Sequence, residues 1–240
     1  MERKQSVRIQ TSILNGLEKK VLVWLAKRQP KWVTSDFLTV VGLIGAFLVG
    51  LGYALCWINP NFLWLSSFGL FLNWYGDSLD GTLARVRNAQ RPLYGFFIDH
   101  NVDGIAMTMI CLGAGLSPYI HIGLALMVLA VYLLLCIYVY ISAHLRGEFK
   151  LTYGNLGPTE FRVVLFIFNL IFLYVTPLRT FQGHLNVFGA DFCFGTFDII
   201  AAIVLVVLIV MHISSLLSDG KKYADEDPVP GDGDGPFGKR

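Results

Sequence analysis

The sequence predicts an all-α, polytopic integral membrane protein in which six transmembrane helices follow an N-terminal amphipathic interfacial helix. Of the 240 residues, 55% are hydrophobic and only 15% are charged, and the mean hydropathy is +0.58. This composition is typical of chains that lie mostly in lipid. Six apolar segments have about the 20 residues that a helix needs to cross a bilayer; they are residues 37–56, 62–83, 95–116, 120–143, 161–178 and 197–217.

The distribution of charge predicts how these segments are oriented. Every Lys and Arg except Arg179 falls in the N-terminal segment, in or beside the second and fourth connections, or in the C-terminal tail. Six spans place all of these regions on one side of the membrane, and basic loops favour the cytosolic side. We therefore expect both termini to be cytosolic. The net charge of +2 is too small to indicate a nucleic-acid partner.

The two ends of the chain differ in character from its centre. Residues 1–36 are polar and basic, without the apolar core and cleavage site of a secretory signal peptide. Within them, apolar residues recur at helical spacing and predict a helix lying on the lipid headgroups, the alternative being a soluble helix packed on another domain; these residues are Ile13, Leu14, Leu17, Val21, Trp24 and Leu25. The six-helix domain covers residues 37–217, and the tail, residues 218–240, is predicted to be disordered.

Small residues in the apolar segments predict where helices approach one another. Glycines allow close contact between helix backbones in a bilayer. The first segment carries Gly42, Gly45, Gly50 and Gly52, and the third carries Gly113 and Gly115.

Four aspartates lie where the second and third apolar segments adjoin. Asp77 and Asp80 are three residues apart, and Asp99 and Asp103 are four apart. On helices each pair projects from one side, so two facing helices would bring four carboxylates into one small volume. Such a cluster repels itself unless a hard divalent cation, which prefers oxygen ligands, binds there. Carboxylates are also costly in a membrane protein, which indicates a functional role.

The residues around these aspartates form an extended motif. It reads Asp77-x-x-Asp80-Gly81-x-x-Ala84-Arg85, and then Gly95-x-x-x-Asp99-x-x-x-Asp103. This pattern resembles the signature of the CDP-alcohol phosphotransferase (CDP-alcohol phosphatidyltransferase) family, whose members make phospholipids. The spacer between Arg85 and Gly95 is one residue longer than in the family pattern, and it falls in a predicted polar loop, where insertions are tolerated.

The resemblance implies a six-helix enzyme, often homodimeric, that transfers a substituted phosphate from a CDP-linked donor to an alcohol and releases CMP. It implies that Mg²⁺ or Mn²⁺ is bound by Asp77, Asp80 and Asp99, and that Asp103 shares the metal or acts as the base. The positions that match those lining the CDP site are Gly81, Ala84 and Arg85, joined by Asp36 and Thr39 at the start of the first span. Ser35 or Asp36 is equally well explained as the N-cap of a helix that begins at Phe37.

The donor and acceptor remain open at this point. A short chain and a mixed-charge fourth connection favour phosphatidyl transfer from CDP-diacylglycerol to a small polar alcohol; the alternative is transfer from CDP-choline or CDP-ethanolamine to diacylglycerol. The candidate acceptor pocket is that fourth connection, residues 144–162, with His144, Arg146, Glu148 and Lys150. A proton- or cation-coupled transporter is the alternative of another class, although no repeated halves or interrupted helices are evident. A non-catalytic scaffold is disfavoured by the intact set of aspartates.

Overall fold

The protein is mostly helical in the computed structural model, which describes residues 7–9, 15–146, 148–150, 158–187 and 190–227. Short 3₁₀ turns, Leu55–Trp57 and Pro60–Phe62, join the helix Ser35–Ala54 to the helix Leu63–Val86. The elements in chain order are β1 (Val7–Ile9), α1 (Asn15–Arg28), α2 (Ser35–Ala54), α3 (Leu63–Val86), α4 (Pro92–Gly115), α5 (Ile122–Arg146), β2 (Glu148–Lys150), α6 (Pro158–Tyr174), α7 (Thr176–Thr180), β3 (Gln182–Val187), β4 (Ala190–Gly195) and α8 (Thr196–Glu226). Strands β1 and β2 pair in parallel, and β3 and β4 form an antiparallel hairpin.

Three of these helices are long and apolar enough to cross a membrane. The qualifying segments are Ser35–Trp57, Ile122–Leu145 and Thr196–Glu226. The other three predicted spans correspond to α3 and α4, which carry the aspartates, and to α6, which has only 17 residues. The charged residues of α3 and α4 and the short length of α6 distinguish these helices from simple transmembrane spans. The presence of six spans therefore stays a prediction.

Helix α2 packs with its backbone directly against α3 and α4. A methyl group at Gly45 would lie 2.3 Å from the backbone nitrogen of Asn73, and one at Gly113 would lie 2.1 Å from Cα of Gly50. Since such separations leave no room for a side chain, these positions require glycine. The predicted close approach is confirmed for the first and third apolar segments. It fixes α3, which carries Asp77 and Asp80, against the N-terminal half of α2.

Helix α1 packs one face on α3. Leu22 and Ala26 are buried in a cluster with Leu79 and Leu83 of α3, whereas Val21 and Trp24 of the predicted apolar face remain exposed. Glu18 joins this helix to its neighbours, because its Oε1 accepts hydrogen bonds from Trp74 Nε1 (2.9 Å) and Thr159 Oγ1 (2.7 Å). The first residues of the predicted helix, 12–14, lie outside the described residues, and its interfacial role stays a prediction.

The start of α2 differs from the predicted cap. Thr34 is the N-cap, and its hydroxyl accepts a hydrogen bond from the Phe37 backbone nitrogen (3.1 Å). The prediction of Ser35 or Asp36 was therefore wrong by one or two residues. Threonine serves because its side-chain oxygen reaches the same free N–H groups of the first turn. Ser35 is left to donate its hydroxyl to the Asp80 carbonyl (2.9 Å).

The predicted fifth span, residues 161–178, is interrupted. Helix α6 ends at Tyr174, and α7 begins at Thr176 with Pro177 in its first turn. Proline cannot donate the backbone hydrogen bond that a continuing helix needs, which ends α6 here. Arg179 Nη1 then donates to the carbonyls of Phe172 and Leu173, 3.3 Å from each.

The last helix continues beyond the predicted membrane boundary at residue 217. Helix α8 extends to Glu226, so residues 218–226 are helical rather than disordered. Tyr138 of α5 donates its hydroxyl to Asp219 Oδ2 (2.5 Å), and Lys222 lies 3.3 Å from Asp219 Oδ1, which stabilises this extra length. The remainder of the predicted tail, residues 228–240, lies outside the described residues.

Candidate metal centre

Three of the predicted aspartates converge between α3 and α4. One carboxylate oxygen from each of Asp77, Asp99 and Asp103 lies within 4.8 Å of the other two, and all three residues are partly buried. Asp77 comes from α3 and the other two from successive turns of α4. Oxygen donors at this separation suit a hard divalent cation such as Mg²⁺ or Mn²⁺. The donor set therefore fits the metal that the motif implies.

Asp80 borders the same small cavity but points its carboxylate to α2. The cavity is lined by the four aspartates together with Thr39, Gly42, Asn73, Val102 and Ala106. Asp80 Oδ2 accepts a hydrogen bond from Thr39 Oγ1 (2.7 Å), and its Oδ1 accepts one from the Gly81 backbone nitrogen. Since the Ser35 hydroxyl also donates to the Asp80 carbonyl, the first turn of α2 holds this aspartate in place.

Arg162, at the start of α6, forms an ion pair with the site. Its Nη2 lies 2.6 Å from Asp77 Oδ2, and its Nε donates to Asn73 Oδ1 (2.8 Å). The side chains of Arg162 and Asp77 are only 16% and 28% exposed. Asn73 is held in turn by its own donation to the Gly42 carbonyl (2.9 Å). The guanidinium thus offsets part of the negative charge of the carboxylates.

This ion pair was not predicted from the sequence, in which Arg162 is only a basic residue of the fourth connection and of the candidate acceptor region. The available signal was an arginine directly before the apolar run of residues 163–168 in α6, where a charge needs a partner. Nothing in the spacing identified Asp77 as that partner, because the two residues are 85 positions apart.

The predicted CDP-side residues lie in three places. Thr39 lines the cavity. Gly81 and Arg85 are adjacent on α3: a methyl group at Gly81 would lie 3.5 Å from Arg85 Nη1, and Arg85 Nη2 donates to Thr82 Oγ1 (3.0 Å). Ala84 is half-buried on the following turn of the helix. Asp36 lies apart, in an exposed ion pair with Arg91 whose charged atoms are 3.7 Å apart.

The candidate acceptor region is described only in part. Residues 147 and 151–157 lie outside the described residues, as do the side chains of residues 146 and 148–150. Beside Asp99, a second cavity of about 360 Å³ opens between α4 and α5, lined by Phe96, Phe97, His100, Asn101 and Tyr140. The Tyr140 hydroxyl donates to the His100 carbonyl (3.3 Å), which joins the two helices at this cavity.

The sequence matches known proteins over the region that contains this site. Among curated relatives, cholinephosphotransferase 1 of Danio rerio is 24% identical over 70% of this chain and 45% of its own length. The Gallus gallus protein of the same name is 27% identical over 68% of this chain and 50% of its own. The Xenopus laevis protein is 31% identical over 38% of this chain and 24% of its own. The chain thus spans about half the length or less of these curated relatives.

A family model covers more of the chain than any of these relatives does individually. The model for CDP-alcohol phosphatidyltransferase matches residues 32–218. This range includes all eight fixed positions of the aspartate motif and Arg162. The chain is a member of the CDP-alcohol phosphatidyltransferase family.

Proposed function

We propose that this protein is a metal-dependent phospholipid-synthesising transferase. It moves a substituted phosphate from a CDP-linked donor to an alcohol acceptor and releases CMP. The observation that carries this proposal is the convergence of Asp77, Asp99 and Asp103 within the region matched to the family. A divalent cation held by these carboxylates would bind the pyrophosphate of the donor. A neighbouring carboxylate would accept the proton of the acceptor hydroxyl.

The metal ligands in this proposal are Asp77, Asp80 and Asp99, with Asp103 as a ligand or base. A bound Mg²⁺ or Mn²⁺ would offset the negative charge on the pyrophosphate of the donor. Thr39 orients Asp80 by donating to its Oδ2 at 2.7 Å. Hydrogen bonds of this kind fix the direction of a metal-binding carboxylate.

The CDP moiety is assigned to the surface of α3 that follows the aspartates. Gly81 and Ala84 are small and leave the helix surface open to a nucleotide, while Arg85 supplies a positive charge suited to a phosphate. Asp36 and Thr39 belong to the proposed CDP site by their match to the family motif. Asp36 forms an exposed ion pair with Arg91, so in this proposal it lies at the edge of the CDP site.

The proposed chemical step is an in-line displacement at phosphorus. A carboxylate oxygen of Asp103 takes the proton of the acceptor hydroxyl while that oxygen attacks the β-phosphorus. The new P–O bond forms as the bond from the β-phosphorus to the bridging oxygen breaks, and the electron pair leaves on CMP. Asp103 suits the base because it is the last of the four aspartates and lies one turn deeper along α4 than Asp99. The alternative is that it acts only as a ligand.

Two donors are compatible with this chemistry. The short chain and the mixed-charge fourth connection favour CDP-diacylglycerol with a small polar alcohol. The names of the relatives favour a second candidate, transfer of a head group such as phosphocholine from a CDP-linked alcohol to diacylglycerol. Both reactions release CMP from the same site and differ only in which substrate carries the acyl chains.

The donor is tested by measuring CMP release from purified protein in detergent with Mg²⁺ or Mn²⁺. One panel contains CDP-diacylglycerol and a set of polar alcohols, and the other contains CDP-choline or CDP-ethanolamine with diacylglycerol. Release with one pairing identifies donor and acceptor together. If folded, metal-binding protein releases no CMP in either panel, the proposal is contradicted, and a cation-coupled transporter or a scaffold is favoured.

The placement in the membrane is also part of the proposal. Six spans within residues 37–217 put both termini and the aspartates on the cytosolic side, where soluble CMP can leave. Residues 1–36 contain α1, which lies on the headgroups with Val21 and Trp24 toward lipid. The functional unit is a homodimer, by analogy with the family. Labelling of single cysteines from either side of sealed vesicles tests the orientation, and cross-linking in detergent tests the dimer.

A further inference from the structure

The hairpin formed by β3 and β4 has one apolar face and one polar face. Its antiparallel register pairs Gly183 with Phe194 and Leu185 with Phe192. Successive residues of a strand point to opposite sides, so these four residues share a face. The other face carries Gln182, His184, Asn186, Asp191 and Cys193. On that polar side, Asn186 Nδ2 donates to Asp191 Oδ1 (2.7 Å).

The apolar face is largely uncovered by the described part of the chain. Leu185 is 56% exposed and Phe192 is 57% exposed. The Phe194 ring lies across Gly183, where a methyl group would be only 2.5 Å from its Cζ, and its centroid is 6.4 Å from that of Phe181. These contacts bring the Phe181 and Phe194 rings together beside Gly183. A surface of this kind needs an apolar environment or a partner.

The hairpin is fixed to the ends of two membrane-length helices. Its last residue, Gly195, is the N-cap of α8 and donates its backbone N–H to Asp198 Oδ2 (2.9 Å). Asp198 Oδ1 accepts from the backbone nitrogen of His121, directly before α5 (2.8 Å). Both α5 and α8 are long and apolar enough to cross a membrane. The hairpin therefore adjoins the ends of two helices that can each cross a membrane.

Exposed aromatic residues lie at the ends of neighbouring elements on the same side of the bundle. Trp57, at the end of the 3₁₀ turn that follows α2, is strongly exposed and donates its Nε1–H to the Leu116 carbonyl after α4 (2.8 Å). Tyr174, at the end of α6, is also strongly exposed. Trp and Tyr concentrate at the boundary between lipid and water. The Tyr119 carbonyl lies 3.6 Å from the position of a methyl group on Gly195, so the α4–α5 connection adjoins the hairpin.

We propose that the β3–β4 hairpin binds the membrane in addition to the spanning helices, at the end of the bundle opposite the aspartates. It inserts four side chains into the lipid interface: Phe181, Leu185, Phe192 and Phe194. A two-stranded hairpin has two open edges whose backbone groups need water or headgroups, so it lies in the interface and not in the hydrocarbon. The polar face then contacts headgroups and water. The occupant of the apolar face is the phospholipid of the same bilayer that α5 and α8 cross.

The test is depth measurement with spin labels on the whole chain in phosphatidylcholine vesicles. Cys56, Cys111, Cys136 and Cys193 are first replaced with alanine, and single cysteines are introduced as Leu185→Cys, Phe192→Cys and, as the matched polar-face control, His184→Cys. Nitroxides at Leu185 and Phe192 should collide several-fold more often with oxygen, relative to a water-soluble nickel chelate, than the nitroxide at His184 does. Thermal unfolding of each variant verifies that it is folded.

Equal access of the nickel chelate to both faces would overturn the proposal. Spin–spin broadening at Leu185 that disappears on dilution with unlabelled protein would overturn it as well, because a second copy would then cover the face. The unmodified protein provides a check that needs no substitution. A photoactivatable phospholipid with its diazirine near the headgroup should label the peptide containing Phe192, and absence of label there, with labelling of α8, would contradict the proposal.

Discussion

Arg162 Nη2 lies 2.6 Å from Asp77 Oδ2, so the start of α6 is joined to the centre of the aspartate cluster. The pair is mostly buried, and the same guanidinium also binds Asn73. The Arg162 side chain therefore has three structural roles. It positions Asp77, links α6 to α3, and supplies a positive charge beside carboxylates that would otherwise repel one another.

Removing this charge should destabilise the protein most when no metal is present. In Arg162→Gln, Asp77 loses its partner, and breaking such a partly buried pair costs on the order of 1–3 kcal/mol. Added Mg²⁺ should restore much of this loss because it neutralises the same carboxylates. Thermal unfolding in detergent, with chelator and with Mg²⁺, measures the difference. An identical loss under both conditions would show that Arg162 acts only as a packing residue, and Arg162→Lys serves as the charge-retaining control.

The hydroxyl of Thr39 should matter more than its methyl group. Thr39→Val keeps the shape of the side chain but removes the 2.7 Å hydrogen bond to Asp80 Oδ2. Loss of a partner that orients a metal-binding carboxylate typically costs on the order of 10- to 100-fold in metal affinity or activity. Thr39→Ser keeps the donor and should stay close to the parent protein. Titration of bound Mn²⁺ measures the effect, and equal affinities for the two variants would remove Thr39 from the site.

The close contact between α2 and α3 should tolerate no side chain at Gly76. A methyl group there would lie 2.2 Å from the Gly42 backbone nitrogen, so Gly76→Ala must separate the helices and displace the neighbouring Asp77. We expect a lower unfolding temperature and lower activity. Gly220→Ala is the matched control, since its methyl group meets nothing within 4 Å. That change should stabilise α8 by about 1 kcal/mol. Similar behaviour of both variants would argue against the packing.

Glu18 should hold α1 on the bundle through its two hydrogen bonds. Its Oε1 accepts from Trp74 Nε1 and Thr159 Oγ1. Glu18→Ala leaves both donors without this acceptor, at a cost on the order of 1–3 kcal/mol, and should speed the hydrogen exchange of α1 without comparable change in α5. Glu18→Gln retains an acceptor oxygen and should exchange more slowly than Glu18→Ala. Unchanged exchange in Glu18→Ala would mean that the Leu22 and Ala26 contacts alone hold the helix.

The features of this structure that could be predicted from the sequence are those that local residue spacing determines. The three- and four-residue spacings of the aspartates predicted side chains on common helix faces, and Asp77, Asp99 and Asp103 converge as expected. The family assignment is confirmed over residues 32–218. Asp80 shares the cavity, but its orientation depends on Thr39, which no spacing within α3 encodes.

The parts that the sequence did not predict depend on contacts between distant residues. The pairing of Arg162 with Asp77 requires knowing which helices are neighbours, and hydropathy does not contain that information. Apolar content extended the fifth segment through Pro177, although the backbone chemistry of proline ends the helix before it. Conversely, the polar residues 218–226 were expected to be disordered, whereas α8 continues through them while Tyr138 donates to Asp219.

The most direct test of the central claim is metal-dependent CMP release by the parent protein and by Asp103→Asn, with the substrate pairing found active in the donor panels. Asp191→Asn, an exposed substitution on the hairpin at the other end of the bundle, is the matched control. The account predicts CMP release that requires Mg²⁺ or Mn²⁺, is lost in Asp103→Asn, and persists in Asp191→Asn. Release that continues unchanged in chelator, or in folded Asp103→Asn, would contradict the assignment of this aspartate cluster as the catalytic centre.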